Sequence, residues 1–234
     1  MLYFLLSLLS LILSLFCTTS YMIPEEINGF LNSKYFGKAS FWTFWVRALF
    51  ILTLSLYLCI SIQKKFGYQY FFFIALLRAS NTILLCCSLS MTAMYWILLS
   101  MDYHNMYPVL PKDIRMPLLP DITLHLLPLI ISAILSLRVR FYCSLMTIVY
   151  FILLGSCYSF VSIYGFYSKG EWPYPFMEKY STKVNLLLHL VTVASVIGIY
   201  LVLRDHVLSS RKKRITTVKN GFKPTINKKS FKKR

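Results

Sequence analysis

Six runs of mainly apolar residues, each close to the length of a bilayer crossing, leave this chain few folds to choose from. They occupy residues 2–23, 43–62, 81–100, 121–137, 141–164 and 184–203. A hydrocarbon core about 30 Å thick takes roughly 17–25 apolar residues to cross as a helix. No water satisfies backbone polar groups there, so such a run crosses as an α-helix, with its hydrogen bonds internal. The expected fold class is all-α: a polytopic transmembrane helical bundle of about six spans. It forms one domain over residues 1–203, followed by a basic tail, 204–234, expected to be disordered. Composition agrees, with 57% hydrophobic and 14% charged residues against roughly 45–50% and 25% in soluble domains. The aromatic run Tyr68–Phe73 reads as an interfacial lead-in to the third span. The first run also resembles the apolar part of a signal peptide. It lacks a basic leader and a small-residue cleavage site, which favours an uncleaved span.

The net charge of +17 raises nucleic acid as a partner. Its placement argues against that, because 12 of the 25 Lys and Arg lie between Arg204 and Arg234 and most others flank apolar runs. Such a tail suits the anionic headgroups of a membrane surface. With Lys64, Lys65, Arg78, Arg138 and Arg140, the tail's side collects 17 basic residues against eight on the other. The positive-inside rule puts that side, and the C-terminal tail, in the cytosol. Loops 24–42, 101–120 and 165–183 then share the opposite face. The six cysteines sit in apolar runs without a C-x-x-C pair and read as reduced packing residues. No N-x-[ST] acceptor occurs, in keeping with an intracellular membrane.

An ionisable side chain inside a span is costly and is therefore a functional candidate. His125 stands out, one turn inside the non-cytosolic end of the fourth run. Asp121 precedes it by four residues and so shares its helix face. There it would orient the imidazole and stabilise its protonated form; the bland alternative is a packing histidine. Thr43 opens the second run at the same membrane level, where threonines commonly cap helices or bond back to a carbonyl. Arg47 lies one turn below, able either to stabilise negative charge or to snorkel to the interface. Two loops rich in proline and aromatics, Met106-Tyr107-Pro108 and Gly170-Glu171-Trp172-Pro173-Tyr174-Pro175, belong to the same face. They read as an interfacial belt or as a wall over a site. His189, in the sixth run, lies about one turn from that face and is a second-rank candidate. No H-E-x-x-H, G-x-S-x-G, P-loop or H-x₄-D pattern is present. Neither a metal site nor a cofactor is expected.

Three segments, in order, resemble the androgen-induced gene family of polytopic membrane hydrolases. They are Phe41-Trp42-Thr43-Phe44; Tyr95-Trp96-Ile97 with Asp102 and Met106-Tyr107-Pro108; and Gly170-Glu171-Trp172-Pro173-Tyr174-Pro175-Phe176-Met177-Glu178. The last is the most specific, and the basic tail is outside the match. The resemblance implies hydrolysis of lipid esters, such as fatty acid esters of hydroxy fatty acids, by a threonine and a histidine. Thr43 and His125 take those positions, with Asp121, Arg47, Asp102, Tyr107, Trp172, Tyr174 and His189 as possible supporting residues. It also implies an endoplasmic reticulum membrane. One departure is plain: the family often shows N-H-x-x-H, where this chain has Asp121 and Ile122 before His125.

The expected mechanism has His125 deprotonate Thr43, which attacks the ester carbonyl to form an acyl-threonine. His125 then protonates the leaving alcohol and activates water. Bilayer lipids and a lipid ester substrate are the expected partners. A rival class is a non-catalytic multi-pass protein that keeps the fold for lipid binding or scaffolding, and a small-solute carrier is a weaker third.

Overall fold

The computed structural model describes residues 2–17, 19, 22–67, 71–107 and 115–221. Among the described residues the regular elements are all helical. They run α1 (Leu2–Phe16), α2 (Glu25–Ser33), α3 (Trp42–Lys65), α4 (Phe71–Met101), α5 (Leu118–His125), α6 (Leu127–Ser136), α7 (Leu145–Lys169), α8 (Pro175–Glu178) and α9 (Thr182–Gly221), with 3-10 turns at Gly37–Ser40 and Tyr103–Asn105.

Each expected run seeds a helix, but not all are full crossings. α3, α4, α7 and the Thr182–Ser210 part of α9 are each long and apolar enough to span a membrane. α5 and α6 form a fifth, broken span, bent by 43°. α1 is apolar but has 15 residues, about 22 Å of helix. It stops at Phe16 rather than near residue 23, and the Phe16 carbonyl accepts both the hydroxyl (2.7 Å) and the N–H (3.0 Å) of Thr19.

Other boundaries shift for local reasons. α4 starts ten residues ahead of the expected 81, so Phe71–Phe73 form its first turn, while 68–70 lie outside the described residues. α7 starts at Leu145 because Ser144 caps it, its hydroxyl accepting from the Met146 N–H (3.2 Å). It ends at Gly170, whose φ of 75° suits a residue without Cβ. α9 continues to Gly221. The last helix therefore runs past the expected boundary at residue 203, in keeping with the good helix propensity of Lys and Arg. The rest of the tail, 222–234, lies outside the described residues.

Two apolar clusters divide the bundle. Phe50, Leu54, Leu84, Leu135, Phe151 and Tyr200 belong to a mid-bundle core. A second cluster at the end carrying Thr43 joins Ile27, Phe41, Tyr95, Met106, Leu124, Trp172 and Phe176. Helices and loops between the spans thus close over that end. α2 lies among them, burying Ile27 and Leu31 one turn apart. Lys34, buried just after it, pairs with Glu171 (3.0 Å) and Glu178 (3.7 Å) and ties the first outer loop to the last. The lateral surface exposes Leu9, Leu187, Leu190 and Val202, which suits lipid as solvent.

Close helix contacts use small and polar residues, as expected where lipid removes the hydrophobic drive between helices. Asn81 of α4 donates to the Ser136 hydroxyl of α6 (3.0 Å). Gly155 of α7 faces Val193 of α9 so closely that a methyl group there would overlap the valine side chain.

Candidate active site

Thr43 is the second residue of α3, after an extended N-cap at Phe41 that makes no side-chain cap bond. Its hydroxyl is not a capping group. Buried, it lies 3.4 Å from Nε2 of His125 and 3.5 Å from the Tyr174 hydroxyl. The first-turn N–H groups of a helix have no intrahelical partner. Those of Trp42 and Thr43 approach the Tyr174 hydroxyl. Oriented backbone donors therefore stand beside the threonine.

His125 is the last residue of α5, and a local backbone argument explains its setting. Pro128 has no N–H to offer the Leu124 carbonyl and interrupts the ladder. The Leu129 N–H turns to Leu126 instead of His125 (3.1 Å). The freed His125 carbonyl accepts the Thr92 hydroxyl of α4. The Tyr95 ring, one turn further along α4, lies flat on the imidazole, with centroids 3.4 Å apart and planes 4° apart. Backbone and ring of the histidine are therefore both held by α4.

Asp121 completes a buried chain. Its Oδ1 lies 2.9 Å from Nδ1 of His125, and its own backbone carbonyl 3.0 Å from the same nitrogen. With Nδ1 donating to these acceptors, the Nε2 lone pair faces Thr43. The carboxylate also accepts from the hydroxyls of Tyr95 (2.5 Å) and Tyr107 (3.2 Å). Charge-assisted bonds of this kind offset the desolvation of a buried carboxylate. Burial pushes the Tyr107 hydroxyl well above its ordinary pKa, with Tyr95 and Asp121 adding to the rise. Burial also raises Tyr174, while hydrogen bonds from Thr43 and Trp42 oppose the rise.

Of the residues singled out in the sequence, Thr43, His125, Asp121, Tyr107 and Tyr174 gather here. Trp172 and His189 form the next layer, with ring centroids 6.3 Å apart. His189 lines the same cavity as Thr43, and its buried Nε2 has no hydrogen-bond partner. Arg47 points away from the threonine, its guanidinium donating to the Ser14 carbonyl of α1 (3.3 Å). Asp102 is also elsewhere: it accepts from the His104 N–H (3.0 Å) and faces Lys179 (3.7 Å) at the surface. The cavity beside Thr43 is about 40 Å³, walled by Met94, Leu98, Met106, Phe176 and Leu188. That is near the volume of one water.

Tyr95, Thr92 and Tyr158 were missed as site residues. Tyr158 of α7 packs on Trp42 (5.1 Å) and His189 (5.4 Å). Tyr95 and Thr92 are three residues apart on α4, a spacing that marks one face but not what the face meets.

A family model described as FAR-17a/AIG1-like protein matches residues 2–206. Comparisons with curated proteins and with solved structures return no match.

Proposed function

We propose that this chain, which belongs to the FAR-17a/AIG1-like family, is an integral membrane hydrolase of lipid esters, with Thr43 as nucleophile and His125 as general base. The observation that carries this reading is the aligned series Asp121, His125, Thr43, with Nδ1 on the carboxylate and Nε2 on the hydroxyl. A threonine hydroxyl attacks poorly until a base takes its proton. Here His125 Nε2 accepts that proton as Thr43 Oγ1 bonds to the ester carbonyl carbon. The carbonyl oxygen becomes an oxyanion, for which the Trp42 and Thr43 N–H groups and the Tyr174 hydroxyl are the nearest donors. Collapse breaks the ester C–O bond, the imidazolium protonates the departing alcohol, and an acyl-threonine remains. His125 then deprotonates water, which attacks the acyl carbon; the fatty acid leaves and Thr43 regains its proton. Asp121 stabilises the imidazolium in both halves.

Fatty acid esters of hydroxy fatty acids are the substrate class we favour, on the resemblance of the three matched segments. The charge count supports a cytosolic tail in contact with anionic headgroups, and the family resemblance supports the endoplasmic reticulum membrane. One observation favours a second reading, a non-catalytic lipid-binding or scaffolding protein: Asp121 and Ile122 stand where the family often shows Asn and His. A fluorophosphonate probe and an ester-hydrolysis assay on purified protein separate the two. Hydrolysis and labelling that both vanish in Thr43→Ala, with hydrolysis lost in His125→Ala, support the enzyme. Full turnover in either variant refutes the scheme. Lipid retention without hydrolysis or labelling supports the binder.

A further inference from the structure

The basic end of the bundle holds a much larger cavity, of about 1090 Å³, just above the roughly 300–1,000 Å³ usual for ligand pockets. The start of α1, the end of α3, the start of α4 and the link between α6 and α7 line it. Five cations face it: Lys64, Lys65, Arg78, Arg138 and Arg140. No Asp or Glu lines it, and none of the five joins an ion pair among the described residues. Arg138 rests over the Tyr3 ring (4.7 Å), which fixes its position without neutralising it. Phe4, Ile60, Ile74 and Leu77 give the same cavity an apolar stretch of wall. Thr43 and Lys64 are 21 residues apart on α3, or about 32 Å, so this cavity is separate from the Thr–His site.

We propose that this cavity is a binding site for an anionic glycerophospholipid. Its phosphate is held among Arg78, Arg138 and Arg140, with Lys64 and Lys65 at the rim. Guanidinium groups suit this because their planar donors pair with phosphate oxygens two at a time. The unbalanced positive charge specifies an anion, and the adjoining apolar wall specifies that the anion carries acyl chains. A cation rim that only marks the inner membrane face needs neither the cavity nor that wall.

The test is displacement of a fluorescent phosphatidic acid from full-length protein in uncharged detergent. Dioctanoyl phosphatidic acid is expected to displace it, and dioctanoyl phosphatidylcholine or inorganic phosphate at equal concentration is not. A basic residue near a lipid surface contributes about fivefold in affinity. R78Q/R138Q/R140Q is therefore expected to lose on the order of a hundredfold, and Thr43→Ala to lose nothing. K228Q/K229Q/K232Q/K233Q, in the tail, is expected to stay within about twofold of the parent. Equal displacement by phosphatidylcholine, equal displacement by phosphate, or a loss in the tail variant matching the triple variant each overturns the assignment. Should the triple variant not fold, K64Q/K65Q at the exposed helix end is expected to lose about 25-fold, and unchanged binding there overturns it too.

Discussion

Replacing Asp121 with Asn separates the two roles of its side chain, because the shape stays while the charge goes. The carboxylate accepts from Tyr95, Tyr107 and His125. An Asn oxygen still accepts from the two phenols, so D121N is expected to unfold within about 1 kcal/mol of the parent. Its rate is another matter. In a serine protease the corresponding change costs about 10⁴-fold, because the imidazole adopts the wrong tautomer. Here Nδ1 has a second acceptor, the Asp121 backbone carbonyl at 3.0 Å, which the substitution leaves in place. The productive tautomer therefore survives, and the loss reduces to a charge-assisted bond to the imidazolium. That is worth about 1.5–3 kcal/mol, or roughly 10- to 150-fold in kcat. Asp121→Ala behaves differently. The Tyr95 and Tyr107 hydroxyls are 3.3 Å apart and can satisfy one another once, leaving one buried O–H without a partner. It is expected to cost about 1–3 kcal/mol of stability. The assay is kcat for a fatty acid ester of a hydroxy fatty acid in nanodiscs, with melting followed alongside. Parent-like kcat in D121N refutes the role of the carboxylate. A loss as complete as that of His125→Ala refutes the role of the carbonyl.

Gly155→Ala sets a methyl group against Val193, and overpacking of this kind costs about 1–3 kcal/mol. The melting temperature should fall and Val193→Ala should restore it; an unchanged melt would refute the contact. Asn185 is fully buried and donates to the Met177 carbonyl (2.7 Å), anchoring the loop that carries Tyr174. Asn185→Ala should speed proteolysis between 170 and 181, and equal cleavage rates would count against that anchoring. Stability should also fall at high pH. Tyr103, Tyr107 and Tyr174 are all raised above the ordinary tyrosine value of 10.0, so the folded state holds protons that the unfolded state releases. Their contribution is complete below about pH 10 and is lost as pH climbs toward the folded values, at about 1.4 kcal/mol per unit and proton. Tyr107→Phe should remove one proton's share of that slope; an unchanged slope would show that Tyr107 ionises freely in the fold.

The spans were legible because length and apolarity are properties of a contiguous run, and a bilayer reads them directly. The break at Leu126 was less so: Pro128 was in view, but one proline near a span leaves open whether the helix bends or ends. Thr43 and His125 could be paired through membrane level and family resemblance, and Asp121 through its four-residue spacing. Tyr95 and Thr92 could not, since their role depends on which face of α4 meets α5, and that is set by packing among helices distant in sequence. Arg47 and Asp102 show the converse. Both lie at the right depth, yet each is drawn to a nearer partner, the Ser14 carbonyl and the Lys179 ammonium.

The freed carbonyl of His125 has an evolutionary consequence. Because α5 is severed from α6 just beyond the histidine, the orientation of the proposed general base is inherited from α4, through Thr92 and Tyr95. Selection on the proposed reaction would therefore act on a helix that contributes no reacting atom. In an alignment of relatives, positions 92 and 95 should change in step with 121 and 125, and lineages that abandon the chemistry should loosen all four together while their lipid-facing surfaces stay apolar.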